Sequence, residues 1–160
     1  MPTAEIKEII PASAKAVFEL LHDYRRRLEW DTLLQEAYLE PEFEKAASGA
    51  ISVCRGKRIL GGFAVRTVYV SFEPGQVAAV KMLNQPPFFD SFAASIRHVR
   101  IDDAHSEVIY KVNFSAKPRW LRPILNPLMR AVFVWETRKR LKALRIFFES
   151  KSLIKQTEIF

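Results

Sequence analysis

The sequence has almost no residues that can cross-link the chain and no segment that could anchor it in a membrane. Cys54 is the only cysteine among 160 residues, so no intramolecular disulfide can form, and this predicts a reducing compartment. We find no Gly/Ser-rich linker, and no apolar run approaches the roughly 20 residues of a membrane span. The opening MPTAEIKEII lacks the continuous apolar stretch of a signal peptide. These absences predict one cytoplasmic domain over residues 1–160.

Residues that carry most catalysis and metal binding are also sparse. The three histidines, His22, His98 and His105, lie far apart in sequence and show no metal-ligand spacing. A lone thiol on a predicted strand, Cys54, is typical of inert packing. There is no Gly-rich phosphate loop, and no pair of carboxylates stands out. We therefore predict no metal site, no cofactor and no assignable catalytic residue.

The sequence is rich in hydrophobic residues and carries a net positive charge. Hydrophobic residues make up 49% of the chain and include 12 phenylalanines, which is enough for a large core or a wide apolar cavity. The formal net charge of +7 favours anionic partners such as nucleic acid, membrane phosphates or acidic ligands.

The hydrophobic periodicity predicts an α+β fold. Residues 4–10 resemble a strand, and a helix that Ser13 caps follows, with a second short helix within RRRLEW. Alternating apolar and polar residues, divided by turn signals, then predict six strands near 33–41, 50–55, 63–72, 77–84, 88–101 and 106–116. Short turns between neighbours indicate an antiparallel meander.

A long C-terminal helix closes the chain. Asn126 followed by Pro127 predicts its start, and no Gly or Pro interrupts residues 128–149, a rod of roughly 33 Å. A curved seven-stranded sheet has one face to bury, and a single long helix lying across it can cover that face. The space between them is either filled by side chains or kept for a ligand.

The segment IIPASAKAVFELLHDYRRRLEWD (9–31) resembles the opening of the START-like superfamily, also called the Bet v 1-like or SRPBCC group. The family pattern is a strand, then I-x-A-x-x-x-x-V-F-x-L-L-x-D, then a short stretch into W-D. The long helix after a Pro-containing turn agrees with it, and the resemblance covers essentially the whole chain. It implies the helix-grip fold, in which members bind lipids, sterols or other hydrophobic molecules, and some are polyketide cyclases or aromatases. It implies no universal catalytic motif.

Strand alternation predicts which side chains face the concave side of the sheet. On the long helix, Phe133, Thr137, Leu141, Leu144 and Phe148 form one stripe that should face the sheet. An ordinary closed core would use the same residues, so a filled interior stays open as the alternative. The predicted cavity-lining, ligand-binding set is Phe63, Val65, Thr67, Tyr69, Val80, Met82, Phe88, Phe92, Ile96, Tyr110, Val112, Phe114, Arg130, Phe133, Thr137 and Leu141.

We interpret the arginines at two places in the sequence as solvent-exposed surface residues. Arg130 lies one turn before Phe133 and either holds a ligand carboxylate or phosphate or, as we favour, reaches water from the helix start. The run Arg25-Arg26-Arg27 is interpreted as decoration of a solvated helix, with Trp30 packing beneath the helix pair and Asp31 ending it.

The outer side of the long helix carries a second feature. Val132 and Trp135 lie off the apolar stripe, and Arg138, Lys139 and Lys142 continue that side. Cover by the short N-terminal helix or by residues 118–125 is our first interpretation. Docking on an anionic membrane, which would make the protein a peripheral membrane protein, comes second, and a homodimer contact is the third. Nucleic acid is disfavoured because no solvent-facing aromatic platform accompanies the basic clusters.

Three functions remain open. The first is a non-catalytic carrier of a hydrophobic small molecule or lipid, with ionisable groups only at the cavity mouth. The second is an enzyme of the polyketide cyclase or aromatase type, with ionisable groups at the cavity centre. The third is a basic module that acts on membranes or nucleic acid and has no cavity.

Overall fold

The computed structural model describes residues 2–57 and 62–159, except for the side chains of residues 156, 158 and 159. The elements run in the predicted order. They are β1 (Thr3–Ile10), α1 (Ala14–Leu21), α2 (Arg27–Trp30), β2 (Leu34–Leu39), β3 (Ile51–Gly56), β4 (Ala64–Glu73), β5 (Val77–Met82), β6 (Phe89–Arg100), β7 (Ser106–Ala116), a 3₁₀ helix (Arg119–Leu121) and α3 (Arg122–Ile159).

Seven strands within the described ranges form one antiparallel sheet. Its order is β1-β7-β6-β5-β4-β3-β2, so strands β2 to β6 each pair with the next along the chain and β1 joins at β7. Bulges shift the register between Leu34 and Glu36, between Tyr69 and Ser71, and between Phe89 and Ser91. Because each bulge adds local twist and bend, the sheet curves around α3. The predicted α+β helix-grip fold is confirmed.

Helix α1 forms where the sequence predicts it. The Ser13 hydroxyl accepts the N–H of Ala16 at 3.2 Å, which satisfies one of the free donors of the first turn. Val17, Leu20 and Leu21 recur on one face of the helix and are buried against the sheet.

Helix α3 begins earlier than predicted. It starts at Arg122, and Pro127 lies inside it. Asn126 does not cap it, because its side-chain oxygen accepts the backbone N–H of Ala116 at 3.1 Å. The Nε atom of Arg122 donates to the Ala116 carbonyl at 2.7 Å, so two side chains join the end of β7 to the first turn of α3.

The apolar stripe of α3 covers the concave face of the sheet. Leu141 and Leu144 are fully buried, and Phe133 and Phe148 pack against the same core. Their partners on the sheet include Ile96, Val108 and Val112, which have the predicted inward alternation. The interior is packed solid at this end of α3 and opens into a cavity towards its N-terminal half.

Candidate ligand-binding cavity

A cavity of about 540 Å³ lies between the curved sheet and the N-terminal half of α3. Strands β3 to β7 line one side, and α1, α2 and the loops beside them close one end. The volume falls within the range of small-molecule sites in proteins. Most of the side chains around it are aliphatic or aromatic.

Twelve of the sixteen predicted lining residues border this cavity. They are Phe63, Val65, Thr67, Tyr69, Val80, Phe88, Phe92, Ile96, Tyr110, Val112, Phe133 and Thr137.

The structure corrects the placement of the other four. Phe114 and Leu141 are fully buried in packed core, where the ring of Phe114 lies 4.9 Å from that of Phe133. Met82 borders a separate depression beside Asn84 and Gln85, at the end of β5. Arg130 lies about 60° around the helix from Phe133, and its Nε atom donates to the Thr3 carbonyl at 3.0 Å. Arg130 is exposed and lies outside the cavity lining, which agrees with the surface interpretation.

The mouth of the cavity is apolar. Phe63, Phe88, Leu128 and Val132 line the cavity and are between 42% and 59% exposed. Phe88 precedes β6 with a φ of 71°, an unusual conformation for a residue with a side chain, and the bulge after it brings Phe89 to the cavity as well. Strict alternation along β6 could not predict that both neighbours face inward.

A charged cluster that the sequence analysis missed borders the cavity further along α3 from the mouth residues Leu128 and Val132. The Oδ2 atom of Asp31 accepts hydrogen bonds from Arg27 Nε at 2.9 Å and from Arg140 Nε at 2.8 Å. Both arginines line the cavity, and Asp31 is 1% exposed. Burial raises the pKa of Asp31, but the two guanidiniums outweigh burial and hold it below its ordinary value.

Our interpretation placed all three arginines of the run on the surface, and this was wrong for Arg27, which is buried. Arg25 is exposed and Arg26 pairs with Glu29, as decoration of a solvated helix predicts. Arg27 instead turns inward, with its guanidinium 4.9 Å from the centre of the Trp30 ring and its Nη1 atom donating to the Leu21 carbonyl at 3.2 Å. Trp30 is buried as predicted, and Asp31 ends α2. The spacing of Arg27 and Asp31, four residues apart on one helical face, was the available signal.

A chain of three polar side chains lies beside this cluster. The Tyr69 hydroxyl lies 2.7 Å from Nδ1 of His22 and 2.9 Å from the Tyr24 hydroxyl. Burial lowers the pKa of His22 well below its ordinary value, and His98 and Arg27 lower it further. Burial raises the pKa of both tyrosines. All three side chains are therefore neutral at pH 7 and can exchange hydrogen bonds with a guest.

Four more polar side chains border the cavity. Burial raises the pKa of the Cys54 thiol, which keeps it protonated and a poor nucleophile. The Ser52 and Thr67 hydroxyls lie 2.7 Å apart and satisfy each other. Burial also raises the pKa of Glu136, on the same face of α3 as Arg140. No three His, Cys, Asp or Glu side chains lie close enough to hold a metal ion in the described ranges.

The outer side of α3 is exposed, contrary to our first interpretation. Trp135 is 46% exposed, so neither α1 nor residues 118–125 cover it. Lys139 Nζ lies 4.4 Å from the centre of its ring, and Arg130, Arg138 and Lys142 border the same shallow groove. Among helices of the described ranges, none is long and apolar enough to cross a membrane.

Comparison with known proteins agrees with this architecture. The family model for "Polyketide cyclase / dehydrase and lipid transport" matches residues 1–146. A search of curated proteins found no match.

Solved structures share the fold at low sequence identity. The Zhui aromatase/cyclase from Streptomyces sp. R1128 is 13% identical, with a TM-score of 0.80 over 94% of this chain and 95% of its own. A START superfamily protein from Mycobacterium smegmatis is 13% identical, with a TM-score of 0.76 over 92% of this chain and 97% of its own. At this identity the likeness shows the fold alone.

Proposed function

Because the chain belongs to the polyketide cyclase/dehydrase and lipid transport family, we propose that it binds a hydrophobic small molecule or lipid between the curved sheet and α3. The observation that carries this proposal is the cavity of about 540 Å³, bordered by Val65, Val80, Ile96 and Phe92 and reached through an apolar mouth. A folded interior normally packs to crystal-like density, so an apolar cavity of this size supports a binding role.

The driving force is burial of apolar ligand surface. Each Å² removed from water contributes about 25 cal/mol before the loss of ligand freedom is subtracted. The hydroxyls of Tyr24 and Tyr69 and the ring of His22 provide a few directed polar contacts at one end.

A neutral fluorescent guest tests this proposal. N-phenyl-1-naphthylamine should bind in the cavity with an increase in fluorescence. Val65→Trp should weaken binding about tenfold or more, because the indole occupies the volume that the guest needs. The matched control is Val70→Trp on the same strand, since Val70 is 58% exposed and lies outside the cavity lining. Equal binding by both variants would refute the cavity as the site.

A second candidate function is ring closure of the polyketide cyclase type. It is favoured by the ionisable side chains deep in the cavity, His22, Tyr24, Arg27, Glu136 and Arg140, because a carrier was expected to keep such groups at the mouth. The candidate predicts that a poly-β-ketoacyl thioester analogue gives an absorbing aromatic product faster with the protein than without it. Unchanged product formation would exclude it.

A third proposal is docking on an anionic membrane. The groove beside Trp135 combines an exposed indole with the cations of Arg138, Lys139 and Lys142, and this combination suits the interface of an anionic bilayer. This surface lies on the side of α3 away from the core, so it can act together with the cavity.

A further inference from the structure

At the charged end of the cavity, Arg27 and Arg140 have N–H donors for which no acceptor is recorded among the described residues. Arg140 donates through Nε to Asp31, and among described residues no acceptor is recorded for its two terminal nitrogens. Arg27 uses Nε and Nη1, which leaves Nη2 without a recorded partner in the same ranges. Both side chains border the cavity, so the free donors are available to a guest there.

Asp31 accepts no recorded hydrogen bond from these donors among the described residues. Its Oδ2 atom already accepts from both arginines, and its Oδ1 atom accepts the backbone N–H of Leu33 at 3.2 Å. One carboxylate therefore faces two guanidiniums, and the cluster carries one excess positive charge. An anion that accepts from the remaining N–H donors would add charge-assisted hydrogen bonds and offset this excess charge.

Among the described residues, Glu136 is the one acid whose side chain borders the cavity. It precedes Arg140 by four residues on α3, yet no ion pair within 4.0 Å joins the two side chains in the described structure. Burial raises the pKa of Glu136, which makes its neutral form easier to reach when an anion binds nearby. Glu136 therefore does not complete the cluster, and it opposes a second negative charge in the same space.

We propose that Arg140 and Arg27 form a subsite for the carboxylate of an acidic amphiphile, whose apolar body extends towards the mouth at Phe63 and Phe88. The inference rests on the proposed function, since it assigns the ligand class of the same cavity. A planar guanidinium presents parallel N–H donors that match the two oxygens of a carboxylate. Leu128 at the exposed mouth precedes Arg140 by twelve residues on α3, about 18 Å along the helix axis, so a guest whose head binds Arg140 can extend its apolar body towards the mouth.

Paired competitors test the subsite. Decanoate and decanol share one alkyl chain and differ in the charge of the head, and each is titrated at pH 7.5 against bound N-phenyl-1-naphthylamine. We expect decanoate to displace the probe at about tenfold lower concentration than decanol, because a charge-assisted hydrogen bond adds to the same apolar burial. Equal potency, or failure of both to displace the probe, overturns the subsite. Failure of the probe itself to bind refutes the proposed function instead.

Two variants with opposite effects exclude a merely structural role. Arg140→Gln should remove the preference for decanoate and leave decanol unchanged, while Asp31 keeps its pair with Arg27. Glu136→Gln should strengthen decanoate binding and leave decanol unchanged, because it removes a competing negative charge. Arg25→Gln, on the exposed surface, is the matched control. Equal weakening of both competitors by Arg140→Gln overturns the inference, and if that variant fails to fold, Glu136→Gln and the wild-type comparison decide.

Discussion

The Oδ2 atom of Asp31 lies 2.8 Å from Nε of Arg140, although 109 residues separate the two in sequence. The contact joins the turn after α2 to the middle of α3, at the closed end of the cavity. Both side chains are buried, with 0% and 14% of their surfaces exposed. An ion pair of this kind contributes little net stability when intact, but it is costly to break from one side.

Asp31→Asn should be among the most destabilising polar substitutions in the chain. It leaves the buried guanidiniums of Arg27 and Arg140 without their counter-charge, and we expect a loss of about 3–5 kcal/mol in the free energy of unfolding. Urea unfolding followed by circular dichroism measures it. Asp103→Asn is the matched control, because Asp103 pairs with Arg100 on the exposed surface. A similar unfolding midpoint for both variants would contradict the account.

Stability should fall in mild acid because of His98. Burial lowers the pKa of its imidazole to about 4, whereas an unfolded histidine titrates near 6.5. The unfolded chain therefore binds the proton first, and the contribution of His98 to stability is full above pH 6.5 and is lost as the pH falls towards 4. Between pH 6.5 and 5 the loss is about 1–2 kcal/mol from this residue.

His98→Leu isolates that contribution. Neither ring nitrogen of His98 has a hydrogen-bond partner in the described part of the chain, so leucine removes a titrating group and no recorded bond. Unfolding measured at pH 6.5 and pH 5 should show a shallower decline than in the wild type, with part of the slope kept by buried His22. An unchanged slope would show that His98 does not titrate as its burial requires.

Tyr69→Phe should cost about 1–2 kcal/mol in stability. The Tyr69 hydroxyl is hydrogen-bonded to Nδ1 of His22 and to the hydroxyl of Tyr24. Its removal leaves Nδ1 of His22 buried without a partner. Thermal unfolding at pH 7 measures the change. Tyr38→Phe is the matched control, because Tyr38 is 47% exposed and has no recorded side-chain hydrogen bond in the described ranges. Equal melting temperatures for the two variants would refute the buried network.

Trp135→Ala should reduce binding to anionic vesicles. Co-sedimentation with phosphatidylserine-containing vesicles should show a several-fold loss, because the indole supplies the apolar part of the proposed docking surface. Neutral phosphatidylcholine vesicles should bind the wild type weakly, since Lys139 and Lys142 then have no charged partner. Unchanged sedimentation of the variant would remove Trp135 from the proposal.

The fold could be predicted because its signals are local. Ser13 as a helix cap, the strand alternation and the stripe from Phe133 to Phe148 are each read from neighbouring residues within one element. The start of α3 could not be predicted from the sequence. Asn126 and Pro127 form a standard helix-start signal, but Asn126 instead accepts a hydrogen bond from the backbone N–H of Ala116.

The cavity walls could be predicted to the extent that strands alternate. Bulges at Tyr69 and Phe89 interrupt that alternation, and their positions have no clear sequence signal. The charged end was missed for a different reason. Arg27 and Asp31 pair locally at a spacing of four residues, but Arg140 joins them only through the packing of α2 on α3, and an arginine beside two others is usually a surface residue.

The most direct test of the cavity as a binding site is native mass spectrometry of the protein after purification and after incubation with excess decanoate. The account predicts a folded chain carrying one added molecule of lipid or decanoate size, and a predominantly unliganded mass for Val65→Trp under the same conditions. A bare mass for the wild type in both preparations, together with no fluorescence from N-phenyl-1-naphthylamine, would contradict it.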